Sequence, residues 1–236
     1  MSTSTEEYLE ALYTLTQDDK TAGTSEISKR LNISPASVTE MLRKLSDNGY
    51  VKYSPYQGVK LTPKGFEIAE KMTRKHRLLE RFLHDVLKIG NDRVHKEACE
   101  MEHALSDETE RAICQNLKSP AKCPDDEKVI PPCDLSFSSC DECRKWGGNL
   151  EEVRGRTGNM VSVSALKEKQ EGKVAFIRGD NKVLRRLLDL GLTPGTNIKV
   201  SRVAPLKGPV EITVRGSKLA LGDEIACNVF VDKAAN

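Results

Sequence analysis

His95, Cys99, Glu102 and His103 lie within the run VHKEACEMEH, at successive spacings of four, three and one. On a helix of about 100° per residue, all four fall within one arc of about 100°. Glu97, Glu100 and Met101 point elsewhere, so the run divides into a coordinating face and a solvated one. Two imidazoles, a thiol and a carboxylate suit Fe(II), Co(II), Ni(II) or Zn(II) better than Ca(II) or Mg(II). His76 and Glu80, at i and i+4 on the preceding helical segment, add a second convergent pair. The competing reading is a helix surface of satisfied salt bridges. A metal-activated hydrolase would use the same donors, but no HExxH or nucleophile-elbow motif accompanies them.

The elements that must position these side chains are legible in the breakers and caps. Thr5 to Gln17 carries apolar residues at helical spacing. Thr24 or Ser25 caps a short helix with Ile27 and Leu31. Ser34 caps, and Pro35 opens, a second helix that ends at Gly49. YVKYS and GVKLT, separated by PYQG, read as a β-hairpin. Two short helices, a tight turn and a hairpin make a winged helix-turn-helix. Pro63 to Leu87 is helical, the ligand run follows, and Ser106 caps a further helix. This helical middle is expected to pair with its copy in a homodimer.

At Ser119 the pattern changes to a stretch rich in Pro, Asp, Ser and Cys, a connector or small metal-stapled lobe. From Val161 onward, short alternating strands with Gly/Pro turns suggest a small β-barrel. The expected fold is therefore multidomain α+β: a winged helix-turn-helix at 1–73, a helical dimerisation and metal-binding domain at 74–120, a connector at 121–160 and a barrel at 161–236.

Charge supports that division. Arg43 to Arg81 holds ten Lys/Arg against four Asp/Glu, whereas Asp92 to Glu152 holds eight against fifteen. A polyanion-binding part beside a cation-binding part fits this asymmetry. On the second short helix, Ser37, Thr39, Glu40, Arg43 and Lys44 lie off the apolar face and are the expected contacts to double-stranded DNA, with Lys60, Tyr56 and Gln57 on the wing. No apolar run is long enough for a membrane span. The N-terminus lacks a basic leader with an apolar core, so the expected compartment is the cytoplasm, where cysteines are more often ligands or reduced thiols than disulfides. Among the seven cysteines, Cys140 and Cys143 form a CxxC pair. With Cys123 and Cys133 they are candidates for a zinc or iron–sulfur site, against reduced structural thiols as the alternative, while Cys114 and Cys227 fit core patterns.

HRLLERFL followed by VHKEACEMEHALSDETE, behind a winged helix, resembles the diphtheria-toxin-repressor family of iron- or manganese-dependent repressors, from about Thr5 to Leu117. RRLLDLGLTPGTNIKVSRVAPLKGPVEITVRGSKLALG resembles the SH3-like FeoA domain. The resemblance implies a primary site at Cys99, Glu102 and His103 with Glu7 from the first helix. It implies an ancillary site at His76, Glu80 and His95, and a weak ligand at Asp180, whose amide partner is replaced by Val183. Where the iron-responsive branch has methionine, Glu7 (with Glu10 one turn on) leans toward manganese, while Cys99 is iron-like. The implied function is a dimeric repressor that binds palindromic operators of metal-homeostasis genes, with Fe(II) as co-repressor, Mn(II) next, and Zn(II), Co(II) or Ni(II) able to bind in vitro. The alternatives are a metal-binding or thiol-redox enzyme, and a regulator whose thiols sense oxidation independently of the helix site.

Overall fold

The computed structural model describes residues 2–16, 20–55, 57–124, 126–148, 150–156, 160–179, 181–205 and 208–233. Tyr56 on the wing and Asp180 lie outside the described residues.

Hydroxyl caps set the helix starts. Ser2 accepts from the Thr5 amide ahead of α1 (Thr3–Leu15), and Ser34 accepts from the Ser37 amide ahead of α3 (Pro35–Asp47), with Pro35 at the first position. Between them, α2 (Thr24–Leu31) is preceded by Gly23 rather than capped by Thr24 or Ser25; Glu26 accepts from the Gly23 amide. Asn32, at φ 54°, turns the chain toward α3. Gly49, at φ 72°, makes the turn after α3. Strands β1 (Val51–Ser54) and β2 (Gly58–Leu61) then pair antiparallel, Val51 opposite Leu61. Leu9, Leu12, Ile27, Val38, Leu42, Leu45, Val51 and Val59 are buried together as the core of this winged module, each contributing roughly 1.5–3 kcal/mol of apolar burial.

Thr62 caps α4 (Pro63–Asp85), one continuous helix that runs from the wing into the middle of the molecule. Its first turn must carry Gly65, because a Cβ there would sit 1.9 Å from the Tyr50 carbonyl oxygen. Packed on it are α5 (Asn91–Glu102) and α6 (Asp107–Asn116), around Leu78, Leu79, Leu83, Val94, Ala98 and Ile113. Ile130 from the connector completes that cluster. The connector is therefore seated on the helical core, and it contains a short helix of its own, α7 (Cys140–Lys145).

The C-terminal part is a six-stranded antiparallel sheet in the order β3-β8-β4-β5-β6-β7, formed by β3 (Met160–Ser162), β4 (Glu171–Ile177), β5 (Asn197–Val203), β6 (Val210–Val214), β7 (Ser217–Leu221) and β8 (Val229–Lys233). Register shifts between Val174 and Phe176 and between Val200 and Arg202 bend the sheet. Helices α8 (Asn181–Asp189) and α9 (Asp223–Ala226) accompany the sheet; Leu187 and Ala226 are buried in its core with Val174, Ile198, Ile212 and Val231.

Glu70, facing Arg74 on α4 and bonded to the Tyr13 side chain, is an acid in an enclosed position. Burial outweighs both partners and pushes its carboxyl up to about 8. The folded protein thus keeps a proton that the unfolded chain releases near the ordinary value of 4.5, and stability falls as pH rises between those values. Glu70→Gln is expected to leave stability unchanged below that window and raise it by on the order of 1–3 kcal/mol above it. Urea titrations of both proteins across pH would show this; equal stability at alkaline pH would refute it.

Candidate metal centre

Helices α4 and α5 bring the two ligand pairs of the sequence face to face. His76 is the hinge between them. Its Nδ1 lies 2.6 Å from Glu102 Oε2, and its Nε2 lies 2.9 Å from Glu80 Oε1 and 3.0 Å from His95 Nδ1. Cys99 Sγ stands 3.9 Å from each imidazole. The residues expected to form separate primary and ancillary sites therefore form one network, joined through a single ring.

His103 behaves differently. As the C-cap of α5 it reaches α1, where its Nδ1 lies 2.7 Å from Glu6 Oε2, and its Nε2 lies 3.5 Å from Glu102 Oε1. Glu7, the expected first-helix ligand, is exposed on the same helix. The acid that α1 delivers into the network is Glu10, hydrogen-bonded to Glu102. Glu10 was signalled by its position one turn after Glu7, on the face of α1 shared by i and i+3 residues. Glu6 had no such signal, because only the approach of α1 to the end of α5 brings it to His103.

Among the described residues, two donor sets have all their ligand atoms within 4.8 Å of one another: His76, His95 and Cys99, and Glu10, His76 and Glu102. Around them is a cleft of about 580 Å³, whose lining also includes Glu7 and His103. The charges explain why the pocket fits a cation. Glu80 and Glu102 are 2% and 1% exposed and His76 is 6% exposed. Burial disfavours the His76 cation, yet contacts with Cys99, Glu102 and Glu80 raise its pKa well above the usual imidazole range. Burial also pulls Glu80 upward, but hydrogen bonds and charge from His76 hold its carboxyl at about 2. Glu10 is pushed up to about 7 by burial and by the Glu102 charge. Three carboxylates thus crowd a pocket with too little positive charge, and imidazole, thiol and carboxylate are the donors of a borderline divalent ion.

The connector cysteines do not converge as a set of four. Cys123 donates from Sγ to Glu80 Oε2 at 2.8 Å, so it supports the helix network. Cys133, Cys140 and Cys143 lie elsewhere, around a small cavity whose fourth cysteine is Cys114 from α6. Nothing supports an iron–sulfur cluster on Cys123, Cys133, Cys140 and Cys143 together. On α3, Ser37, Glu40, Arg43 and Lys44 are exposed, and Thr39 donates back to the Pro35 carbonyl at 2.9 Å. Glu40 and Lys44 form an exposed ion pair of 2.7 Å and, with Ser37, line the metal cleft. Lys60 is exposed on β2.

Replacing the Glu10 carboxylate by an amide tests its membership of the site. Glu10→Gln is expected to weaken Mn(II) binding about tenfold or more, whereas Glu40→Gln, on the rim of the same cleft, leaves it unchanged. Calorimetric titration of the full chain reads both; equal affinities for Glu10→Gln and wild type would remove Glu10 from the centre.

Comparisons with known proteins agree with the fold. Residues 1–59 match the N-terminal DNA-binding domain of iron-dependent repressors, residues 62–131 their metal-binding and dimerisation domain, and residues 161–233 the FeoA domain. An uncharacterised helix-turn-helix transcriptional regulator of Methanocaldococcus jannaschii is 45% identical over 119 residues, covering 50% of this chain and 92% of that protein. The diphtheria toxin repressor of Corynebacterium glutamicum is 28% identical over 98% of this chain and 96% of its own length. The iron-dependent repressor IdeR of Mycobacterium tuberculosis is 29% identical over 98% and 97%. A solved manganese-dependent transcriptional repressor in complex with manganese superposes with a TM-score of 0.51 at 26% identity, covering 97% of this chain and 99% of that one. The enzymatic alternative falls away on these matches, and among the described residues no helix is long and apolar enough to cross a membrane. The chain belongs to the iron-dependent repressor family of metal-dependent, DNA-binding transcriptional repressors.

Proposed function

We propose that this protein represses transcription as a homodimer whose hold on a palindromic operator depends on a divalent cation seated among Glu7, Glu10, Cys99, Glu102 and His103, with His76, Glu80 and His95 as the adjoining set. The observation that carries this is Glu10. It belongs to the winged module through α1, yet meets Glu102 and His76 of the helical core. Any charge balance achieved in the cluster is therefore felt by the helix on which α2 packs and which shares a core with α3.

A divalent ion supplies positive charge and directed coordination there. Everything else is done by the chain. Glu10 and Glu6 hold α1 against α5, Leu9 and Leu12 transmit that placement to Val38 and Leu42 of α3, and Arg43 and Thr39 are presented to the major groove and its phosphates. Cation binding shifts the population toward the DNA-competent arrangement only by its difference in affinity between the two arrangements. Val86, Leu87 and Met101, at the ends of α4 and α5, are 44%, 53% and 40% exposed and support pairing of the helical domain with a copy of itself.

Fe(II) is the proposed co-repressor. It accepts the thiolate of the Cys99 set and the carboxylates of the Glu10 set; Mn(II), favoured by Glu7 and Glu10, comes second. Zn(II), Co(II) and Ni(II) would bind in vitro by affinity order. Anaerobic binding to the protein's own upstream DNA, with and without Fe(II) and Mn(II), tests the reading. Metal is expected to tighten wild-type binding by on the order of tenfold or more, and Cys99→Ala to lose most of that gain. Equal affinity with and without metal would sink the proposal, and a response to oxidant alone would favour the thiol-sensing alternative.

A further inference from the structure

Cys114 of α6, Cys133 of the connector, and Cys140 and Cys143 of α7 line one small cavity of about 40 Å³. Helix α6, the connector and α7 each contribute to it, and none of these cysteines is hydrogen-bonded to the network around His76 among the described residues. Neighbouring donors point at the sulfurs. Arg74 Nη2 lies 3.2 Å from Cys114 Sγ, and Gln115 Nε2 lies 3.8 Å from Cys143 Sγ. Such N–H groups orient and stabilise metal-bound thiolates.

The carboxylates that line the pocket, Asp107, Glu110 and Asp134, are paired with Lys71, Arg74 and Arg154, which leaves the charge of Arg178 to be met by other groups. Arg178, 2% exposed, lines the same pocket and donates to the carbonyls of Ala121, Ile130 and Pro131, with its guanidinium over the Phe230 ring. Among the described residues it meets no carboxylate. Burial holds its pKa down to about 10, with repulsion from Arg74 adding to that, while the nearby thiols of Cys140, Cys114 and Cys227 favour its charge. Arg156 stands over Phe176, and Cys133 and Cys140 are the first neighbours that favour its charge, while its Nη1 is buried without a hydrogen-bond partner. A buried guanidinium facing neutral thiols is costly; the same guanidinium facing thiolates is stabilised.

We propose that Cys114, Cys133, Cys140 and Cys143 hold a single thiophilic divalent ion, Zn(II) in kind, as a structural centre separate from the regulatory one. Four thiolates on a divalent ion carry a net charge of about −2, which Arg74, Arg156 and Arg178 offset. No three of these sulfurs lie within 4.8 Å of one another, so capture draws them inward to about 2.3 Å from the ion by side-chain rotation. Four protons leave the thiols as the sulfur–metal bonds form, and no oxidation is involved. The centre would tie α6 and the connector to α7, whose flanking Ser138 carbonyl accepts from Ile177 of β4 at 3.0 Å. It thereby fastens the C-terminal sheet to the helical core.

The test is metal counting and cobalt substitution on the full chain, prepared anaerobically. Wild type and Cys99→Ala are each expected to retain about one Zn(II) per chain after mild chelation, and their Co(II) forms to show intense thiolate-to-cobalt charge transfer with tetrahedral visible bands. Cys133→Ser and Cys143→Ser lose that ion and those bands, while Cys123→Ser, outside the cavity, keeps both. Circular dichroism of each variant, with Cys143→Ser as the second probe, separates ligand loss from unfolding. Unchanged zinc content in folded Cys133→Ser and Cys143→Ser would overturn the proposal, as would loss of the thiolate bands in Cys99→Ala. A broad visible absorption bleached by dithionite would replace the single ion with a cluster and equally overturn it. The regulatory reading can fail with this result standing, because its variants and its readout are different.

Discussion

One imidazole, that of His76, has a carboxylate on each side: Glu102 at Nδ1, and Glu80 at Nε2 in company with His95. With Glu10 added from α1, the buried acids outnumber the cations available to them. Like charges at hydrogen-bond distance cannot all ionise in a pocket with little solvent. The cluster is thus balanced either by protons or by a divalent ion. Because its members come from α1, α4 and α5, that choice is also a choice about how firmly the winged module is held to the helical core.

The division into a primary and an ancillary site loses some of its meaning in this geometry. His76 belongs to both donor sets, and Cys99, expected in one, stands equally close to the imidazoles of the other. Cys123 extends the coupling outward, since the proton on its sulfur is bonded to Glu80. A change at either donor set is therefore transmitted through one ring to the other, and from Glu80 to the connector.

The second concentration of unusual chemistry is at the junction with the C-terminal sheet. Arginines 74, 156 and 178 are gathered there, although among the described residues only Arg74 of the three has a short carboxylate partner, Glu110 at 2.6 Å. Backbone carbonyls and aromatic rings take up the remaining guanidinium contacts. Asp107, Glu110 and Asp134 at this junction are taken up by Lys71, Arg74 and Arg154, and thiols are the ionisable groups that lie nearest to Arg178.

Local order was legible in the residues themselves. Ser34 with Pro35, Gly49 and the turn at PYQG set the winged module, because caps and turns depend only on neighbours in the chain. The coordinating face of α5 follows from the helical period alone. What the tertiary structure decided was which faces meet. Glu10 meets Glu102 while Glu7 lines the same cleft, Glu6 finds His103, Cys123 serves Glu80, and Cys114 lies with Cys133, Cys140 and Cys143 around one cavity. Each of these joins residues that are tens of positions apart. Their proximity is set by how α1, α6 and the connector pack on α4, through a core whose apolar side chains are alike enough that their spacing specifies burial but not partner.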